Sequence, residues 1–242
     1  MKTRADLLLV ARGLFESRAK ARAAIEAGGV SADGRAVAKA SELLADDAVL
    51  EAVAAHPWVG RGALKLVHAL DLWPVAAEGR VVLDVGASTG GFTEVCLSRG
   101  AARVYAVDVG RGQLHPKVAG DARVVSLEAT DARDLTPALI PEPPGLIVTD
   151  VSFISLEKAL PAALALAGQG ADLLALVKPQ FEVGRGNVGK GGVVTDPAAR
   201  LAALEGVKAF ITSAGWTVRE TADSPIEGGD GNREFLLWAT RA

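Results

Sequence analysis

DVGASTGGFT, residues Asp84–Thr93, is the stretch that decides the fold. It lies between an apolar run, RVVL (80–83), and an amphipathic run, EVCLSRG (94–100). Its glycines let the backbone come close to a ligand. An apolar strand followed by such a loop and then by a helix is typical of the nucleotide site at the first strand of a doubly wound α/β sheet.

Strand and helix patterns alternate around this loop. From Arg80 onward, apolar runs of strand length are joined by helical stretches, and an amphipathic helix is predicted over 62–73. The last two predicted strands, 216–221 and 233–240, have no helix between them. We therefore predict an α/β fold, a doubly wound, Rossmann-like sheet of seven mostly parallel strands with an antiparallel finish at one edge.

The N-terminal part predicts a smaller α+β domain. Two short helices are expected over 5–14 and 18–27, followed by a hairpin that turns at Asp33-Gly34 and a strand over 48–53. The predicted organisation is thus a small domain over 1–55, a linker over 56–61 and a large domain over 62–242.

The net charge of −3 is unevenly distributed. Residues 1–40 carry eight lysines or arginines against four acids, a local charge of +4 that leaves −7 for the remainder. A basic segment on an acidic body indicates a module that binds a polyanion, although a solvated helix surface has the same composition. The candidate contact residues are Arg4, Arg12, Arg18, Lys20, Arg22 and, in the predicted linker, Arg61.

Composition excludes several classes of protein. One cysteine, Cys96, rules out an internal disulfide framework and agrees with a reducing compartment. Three scattered histidines cannot assemble a zinc site, so no metal is expected. The most apolar window, 159–177, is interrupted by proline, glycine and aspartate, and the N-terminus lacks a signal-peptide pattern. We expect a cytoplasmic protein with no membrane partner.

Three ligands compete for the glycine-rich loop. A P-loop would place a lysine after the glycines, and a dinucleotide site would place a glycine where Ser88 stands. An acid before the loop, Asp84, suits a positively charged ligand better, and Asp108, 24 residues later, is placed for a ribose diol. Asp131, after the third strand, is placed for an adenine edge. This set predicts S-adenosylmethionine, with three helix-capping acids as the alternative. The loop residues expected to bind it are Gly86, Ala87, Ser88, Thr89, Gly90 and Gly91.

Four further residues are candidates for catalysis. Lys178 closes an apolar strand and is costly to bury unpaired, so it is placed to orient a ribose 2′-hydroxyl and stabilise the developing alkoxide. Asp150, on the adjacent strand, is placed to hold that ammonium. Glu234 and Lys65 complete a Lys-Asp-Lys-Glu group, for which a structural ion-pair network is the alternative.

Several motifs resemble the TlyA family, whose catalytic domain is similar to FtsJ-type ribose 2′-O-methyltransferases. They are DVGASTGGFT (84–93), TDVSFISL (149–156), LVKPQFEVGR (176–185) and GGVVTDP (191–197). Residues 3–39 resemble an S4 RNA-binding domain. The resemblance implies that Lys65, Asp150, Lys178 and Glu234 form the catalytic tetrad and that Asp108 binds the cofactor ribose.

The resemblance also implies a substrate and partners. The expected reaction is 2′-O-methylation of cytidine in ribosomal RNA, in the large-subunit 23S RNA and with the small-subunit 16S RNA as a second candidate. Ribosomal RNA or ribosomal subunits are the expected partners. The sequence leaves the oligomeric state open between a monomer and a weak dimer. Two alternatives stay open: a membrane-active protein, because members of the family carry the label hemolysin, and a non-catalytic RNA-binding or assembly factor.

Overall fold

The computed structural model describes residues 1–184, 186, 188–189, 191–228 and 231–241. The chain divides into two compact units, Met1–Pro57 and Trp58–Ala242. The predicted linker, 56–61, spans this division. No helix in the described residues is both long enough and apolar enough to cross a membrane.

Two helices and two small sheets form the smaller unit. In chain order its elements are β1 (Lys2–Arg4), α1 (Ala5–Ala11), α2 (Arg18–Glu26), β2 (Val30–Ala32), β3 (Arg35–Ala36), β4 (Leu43–Ala45) and β5 (Leu50–Ala52). Strand β1 pairs with β4, and β2 lies between β3 and β5, all antiparallel. Apolar side chains of α1 and α2, among them Leu9 and Ile25, form its core.

Helix boundaries in this unit follow local chemistry. Ser17 accepts a hydrogen bond from the Lys20 amide at 3.3 Å and caps the start of α2. Helix α1 was predicted to reach residue 14 but ends at Ala11, because Gly13 takes a left-handed conformation (φ +71°) that ends the helical hydrogen bonding. The two-residue hairpin turn at Asp33-Gly34 has positive φ at both residues, as this turn type requires.

The larger unit alternates strands and helices. Its elements are α3 (Ala63–Leu72), β6 (Val81–Val85), α4 (Gly91–Ser98), β7 (Arg103–Val107), α5 (Pro116–Ala119), β8 (Val124–Leu127), a 3₁₀ turn (Ala132–Asp134), β9 (Leu146–Thr149), α6 (Leu156–Ala159), α7 (Pro161–Leu166), β10 (Asp172–Val177), α8 (Pro179–Glu182), α9 (Pro197–Ser213), β11 (Trp216–Asp223) and β12 (Phe235–Arg241).

The sheet order is β11-β12-β10-β9-β6-β7-β8. Strands β6 to β10 are mutually parallel, whereas β12 runs antiparallel to both β10 and β11. The predicted fold class, including its antiparallel edge, is therefore confirmed. The strand order reverses between β6 and β9, which is where open α/β sheets bind ligands.

Successive side chains of the central strands pack into two apolar layers on opposite faces of the sheet. Leu83 and Val85 of β6 face one apolar layer, and Val82 faces the other, which α3 and α4 cover. Burial on both faces explains why these strands are nearly continuous apolar runs in the sequence. Polar residues from several strands meet at the carboxyl ends of the strands, where the candidate site lies.

Candidate active site

A cavity of about 530 Å³ opens at the carboxyl ends of β6, β7 and β9. The residues that line it are Val85, Gly86, Ser88, Val107, Asp108, Val109, Gln113, Thr130, Asp131, Ala132, Asp150, Val151, Ser152, Phe153, Ile154 and Ala159. Four of the predicted cofactor residues are among them: Gly86, Ser88, Asp108 and Asp131. The sheet thus brings residues from the ends of β6, β7 and β9, and from the segment that follows β8, to one concave surface.

Glycine is required at two positions of the loop between β6 and α4. Gly86 and Gly90 have φ values of +87° and +91°, and a Cβ on Gly86 would lie 3.0 Å from Val151 Cγ1. The remaining predicted loop residues, Ala87, Thr89, Gly90 and Gly91, lie outside the cavity lining. Gly91 begins α4, so this part of the loop shapes the turn behind the cavity.

Asp108 joins the loop to the end of β7. One carboxylate oxygen accepts a hydrogen bond from the Ser88 amide at 2.8 Å, and the other accepts one from the Gly110 amide at 2.7 Å. Each oxygen has a second lone pair, so the carboxylate can still accept from a ligand hydroxyl in the cavity. Asp131 caps the 3₁₀ turn and forms an ion pair with Arg133 at 2.6 Å.

Asp84 does not line the cavity, although the sequence predicted that it would bind the ligand. The residue is 0 % exposed and absent from the cavity lining. Thr93 Oγ1 donates to Asp84 Oδ2 at 2.6 Å, while Oδ1 has no hydrogen-bond partner in the described part of the chain. Burial raises the pKa of this carboxyl to about 7. An alternating strand points successive side chains to opposite faces, and residue 84 faces the interior beneath α4.

The four candidate catalytic residues form two ion pairs. Lys178 Nζ lies 2.6 Å from Asp150 Oδ1, and Lys65 Nζ donates to Glu234 Oε2 at 2.5 Å. Lys65, Lys178 and Glu234 are buried, and Asp150 lines the cavity. Each buried lysine thus has a carboxylate beside it, as expected because burying an ammonium without a partner is costly.

Strand register explains how these residues meet. Asp150 follows β9, Lys178 follows β10, and Glu234 directly precedes β12, at adjacent strands of the sheet. The last strand was predicted over 233–240, but β12 begins at Phe235, so Glu234 lies just outside it. Lys65 comes from α3, whose first turn lies beside Asp150, since a Cβ on Gly62 would stand 3.2 Å from Asp150 Oδ2.

Two residues of this site were missed in the sequence. Ser152 Oγ accepts a hydrogen bond from Lys178 Nζ at 2.8 Å, which gives the lysine a second partner. Phe153 is 91 % exposed, has a φ of +66°, and contacts Phe181 with ring centroids 5.2 Å apart. The sequence could have indicated both residues, because they closely follow Asp150, the acid at the end of the strand, in TDVSF (149–153).

Basic residues of the smaller unit are largely paired. Arg4 and Arg18 both bind the buried carboxylate of Asp6, at 3.0 and 2.8 Å. The other predicted contacts in this unit are paired too: Lys20 with Glu16, Arg22 with Glu26, and Arg12 with the Asp46 carbonyl. Arg61, in the larger unit, donates to the Glu227 carbonyl at 3.0 Å.

The expectation of a strongly basic module requires correction. Residues 1–57 carry eight basic and eight acidic side chains, because four acids follow residue 40. The smaller unit is therefore neutral as a whole. Any attraction for a polyanion depends on where its arginines are displayed rather than on net charge. Among the described residues, no group of histidine, cysteine or acidic side chains could hold a metal ion.

Two family models match this chain. The model for the FtsJ-like methyltransferase matches residues 58–241, and the model for the S4 domain matches residues 3–50. The 16S/23S rRNA (cytidine-2′-O)-methyltransferase TlyA of Mycobacterium tuberculosis is 48 % identical over 239 residues, covering 98 % of this chain and 89 % of the relative.

Two further proteins extend the comparison. The 23S rRNA (cytidine-2′-O)-methyltransferase TlyA of Campylobacter jejuni is 36 % identical and covers 75 % of this chain and 70 % of the relative. A hemolysin-named protein from Streptococcus thermophilus has a solved structure with 41 % identity and a TM-score of 0.79, covering 100 % of this chain and 89 % of that chain.

Proposed function

The chain belongs to the TlyA family, which joins an S4 domain to an FtsJ-like methyltransferase domain, and we propose that it methylates the ribose 2′-oxygen of cytidine in ribosomal RNA with S-adenosylmethionine. The observation that carries the proposal is the arrangement of two lysine–carboxylate pairs at the strand ends, one of which includes Asp150 of the cavity lining. The cavity lies where the strand order reverses, between β6 and β9, and ligands of open α/β sheets bind at that place.

S-adenosylmethionine fits the residues that line the cavity. The loop offers backbone at close range through Gly86, which lines the cavity, and no lysine of a phosphate-binding loop follows. Asp108 is proposed to bind the ribose hydroxyls and Asp131 the adenine edge. Asp84 is proposed to act on the cofactor only through the loop that it supports. When bound, the cofactor supplies the methyl group on its sulfonium.

Lys178 is proposed as the residue that binds the reacting ribose. Its ammonium donates toward the 2′-oxygen and stabilises the negative charge on that oxygen as it attacks the methyl carbon. The hydroxyl proton passes to solvent water, and the bond between the methyl carbon and the cofactor sulfur would break as the carbon–oxygen bond forms. Asp150 and Ser152 hold the ammonium in place, at 2.6 and 2.8 Å. Lys65 and Glu234 form the second pair, which we propose completes the ribose site.

Phe153 is proposed to stack on the target base. A bulky residue at a φ of +66° costs on the order of 1 kcal/mol or more, and a ring that is 91 % exposed recovers little of that through burial. Such strain persists at functional sites where the side chain has to be presented to a ligand. Unstacked bases of RNA bind aromatic rings in this way, and Asp150 lies only three residues away.

The smaller unit is proposed to bind ribosomal RNA through Arg4 and Arg18. Asp6 holds both guanidinium groups in fixed orientation, while each keeps exposed N–H groups for phosphate oxygens. We retain 1–55 as the RNA-binding domain, 56–61 as the linker and 62–242 as the catalytic domain. We propose that the enzyme works in the cytoplasm.

Large-subunit 23S RNA is the proposed substrate, and 16S RNA is the second candidate. The name of the M. tuberculosis relative includes both 16S and 23S RNA, whereas the name of the C. jejuni relative includes 23S RNA alone. Mapping of 2′-O-methylcytidine in ribosomal RNA from cells with and without this protein decides between them. A site in 23S RNA that depends on the protein is the expected result, and the loss of no site would contradict the proposal.

The mechanism is tested by replacing Lys178 with methionine. We expect transfer of the methyl group to fall by about 10² to 10³, the effect of removing one stabilising donor, with cofactor affinity measured by calorimetry nearly unchanged. Lys208→Met is the matched control, because Lys208 lies on α9, forms an ion pair with Glu205 at 2.8 Å and does not line the cavity. Equal activity of the Lys178 variant and the control would refute the role of Lys178.

A membrane-active function is the second candidate, favoured by the name of the S. thermophilus protein. Release of dye from liposomes by the purified chain, free of RNA and cofactor, would support it. Methyl transfer to ribosomal RNA without dye release would support the first proposal.

A further inference from the structure

Asn232 is a buried polar residue that joins two distant segments of the larger unit. It is 1 % exposed. Its side-chain Oδ1 accepts a hydrogen bond from the Val194 amide at 3.0 Å, and its Nδ2 donates to the Gly192 carbonyl at 2.9 Å. Its backbone carbonyl accepts from the Gly228 amide at 2.8 Å. The residue therefore ties 192–194 to Gly228 and to 231–234, and none of these described stretches is a regular helix or strand.

The segment 192–194 is held by backbone hydrogen bonds and by the burial of Val194. Val194 is fully buried, and the Gly189 amide donates to the Val193 carbonyl at 3.0 Å while the Gly192 amide donates to Gly189 at 3.1 Å. Backbone hydrogen bonds and the buried side chain of Val194 therefore hold 192–194 in the larger unit. The side chain of Asn232 is thus fastened to the body of the unit rather than to a free loop.

Glu234 depends on the segment that Asn232 holds. The Gly228 backbone packs against it, since a Cβ on Gly228 would lie 2.6 Å from Glu234 Oε1. Asn232 binds this same Gly228, and only Arg233 separates Asn232 from Glu234 in the chain. The Glu234 carboxylate in turn holds the Lys65 ammonium at 2.5 Å. A continuous set of contacts therefore runs from 192–194 through Asn232 to Lys65.

We propose that Asn232 is a positioning residue for methyl transfer, which sets the location of the Lys65–Glu234 pair without touching cofactor or RNA. The inference rests on the proposed function for its link to catalysis. Asn232 is absent from the lining of the cofactor cavity, so cofactor affinity should not depend on it. Asparagine is specifically suited, because the position requires one acceptor and one donor.

Two substitutions separate these requirements. Asn232→Asp keeps the acceptor for Val194 but loses the donor for Gly192 and places a second carboxylate near Glu234. Asn232→Leu removes both bonds with little change in volume. Trp238→Phe is the control, because it also deletes one side-chain hydrogen bond, from Nε1 to Asp172 Oδ1 at 2.8 Å, near the opposite ends of the strands.

The first measurement is kinetic. For both Asn232 variants of the full-length chain, we expect kcat with ribosomal RNA to fall at least tenfold, with the Kd for S-adenosylmethionine within about twofold of the parent. The control should lose thermal stability and keep its kcat. A parallel loss of kcat and of cofactor affinity would indicate general damage to the fold and would overturn the proposal.

The second measurement is independent of activity. Acetylation of the intact protein, read by mass spectrometry at each lysine, should increase severalfold at Lys65 in the Asn232 variants and stay unchanged at Lys178. Unchanged labelling of Lys65 in the nearly isosteric Asn232→Asp variant would overturn the inference, even if the parent chain methylates no RNA. An inactive parent chain with the expected labelling would refute only the proposed function.

Discussion

Replacement of Asp84 by asparagine is expected to remove a large part of the pH dependence of the larger unit's stability. Asp84 is 0 % exposed, and burial raises the pKa of its carboxyl from 3.8 to about 7. The hydrogen bond from Thr93 works against this shift, whereas the nearby charges of Asp150 and Asp108 add to it. The folded state therefore binds this proton more tightly than the unfolded state does.

The sign and size of the effect follow from that difference in pKa. A raised pKa in the folded state contributes stability that is fully present below about pH 4, declines as the pH rises, and is lost above about pH 7. A shift of about three pKa units corresponds to about 4 kcal/mol over the whole range. At pH 5 the carboxyl is already ionised in the unfolded state, and it ionises in the folded state only near pH 7. The contribution to stability therefore declines over about two pH units above pH 5, and the free energy of unfolding should decrease by about 3 kcal/mol between pH 5 and pH 8.

Urea unfolding followed by tryptophan fluorescence measures this change in the right part of the molecule. All four tryptophans, Trp58, Trp73, Trp216 and Trp238, lie in the larger unit. The decrease between pH 5 and pH 8 should be smaller by about 3 kcal/mol in Asp84→Asn than in the parent chain. Other titrating groups are common to both proteins and cancel in the comparison.

Thr93→Val is the informative companion variant. It removes the hydrogen bond that lowers the pKa of Asp84, so stability should continue to decline above pH 7. The same dependence on pH in the parent and in Asp84→Asn would refute the reasoning, because it would mean that the buried carboxyl does not titrate in this range.

Three other predictions concern the RNA surface, the strained aromatic residue and the cysteine. Arg18→Ala should weaken binding of ribosomal RNA and reduce the slope of log K against log salt by about 1, measured by fluorescence anisotropy; an unchanged slope would mean that Arg18 contacts no phosphate. Phe153→Gly should lower kcat/KM for RNA about tenfold, the lower end of base-stacking energies, and raise the melting temperature, because glycine relieves the positive φ. A lower melting temperature would show that the backbone there is unstrained. Cys96 is fully buried, and burial holds the pKa of its thiol well above the ordinary value, so iodoacetamide at pH 8 should label it only after unfolding. Rapid labelling of the native protein would contradict this placement.

Local pattern was sufficient for the fold. Period-two and continuous apolar runs, the glycine-rich loop after the first strand, and the absence of a helix before β12 depend on short segments of sequence, and each is enforced by backbone geometry. The parallel sheet with its antiparallel edge was predicted for that reason and is confirmed. Element ends were less accurate, as with α1, because a single left-handed glycine outweighs several helix-forming neighbours.

Contacts between distant residues could not be read in the same way. Asp84 and Asp108 both follow the pattern of a strand-end acid, yet one is buried beneath α4 and the other lines the cavity, since the side of the strand and the depth of the covering helix decide exposure. The net charge of the smaller unit could not be predicted for the same reason. The charge count covered residues 1–40 and left out four acids that belong to the same compact unit.

The sequence by itself therefore determined the α/β architecture, the glycine-rich loop after the first strand of the sheet and the residue types at the strand ends. Only the tertiary structure decided the partners: Lys65 with Glu234 across 169 positions of the chain, Lys178 with Ser152, and Asn232 with 192–194. The physical reason is that backbone conformation is set by neighbours in the chain. The charge state, orientation and exposure of a polar side chain are set by whatever the fold places within a few ångströms of it.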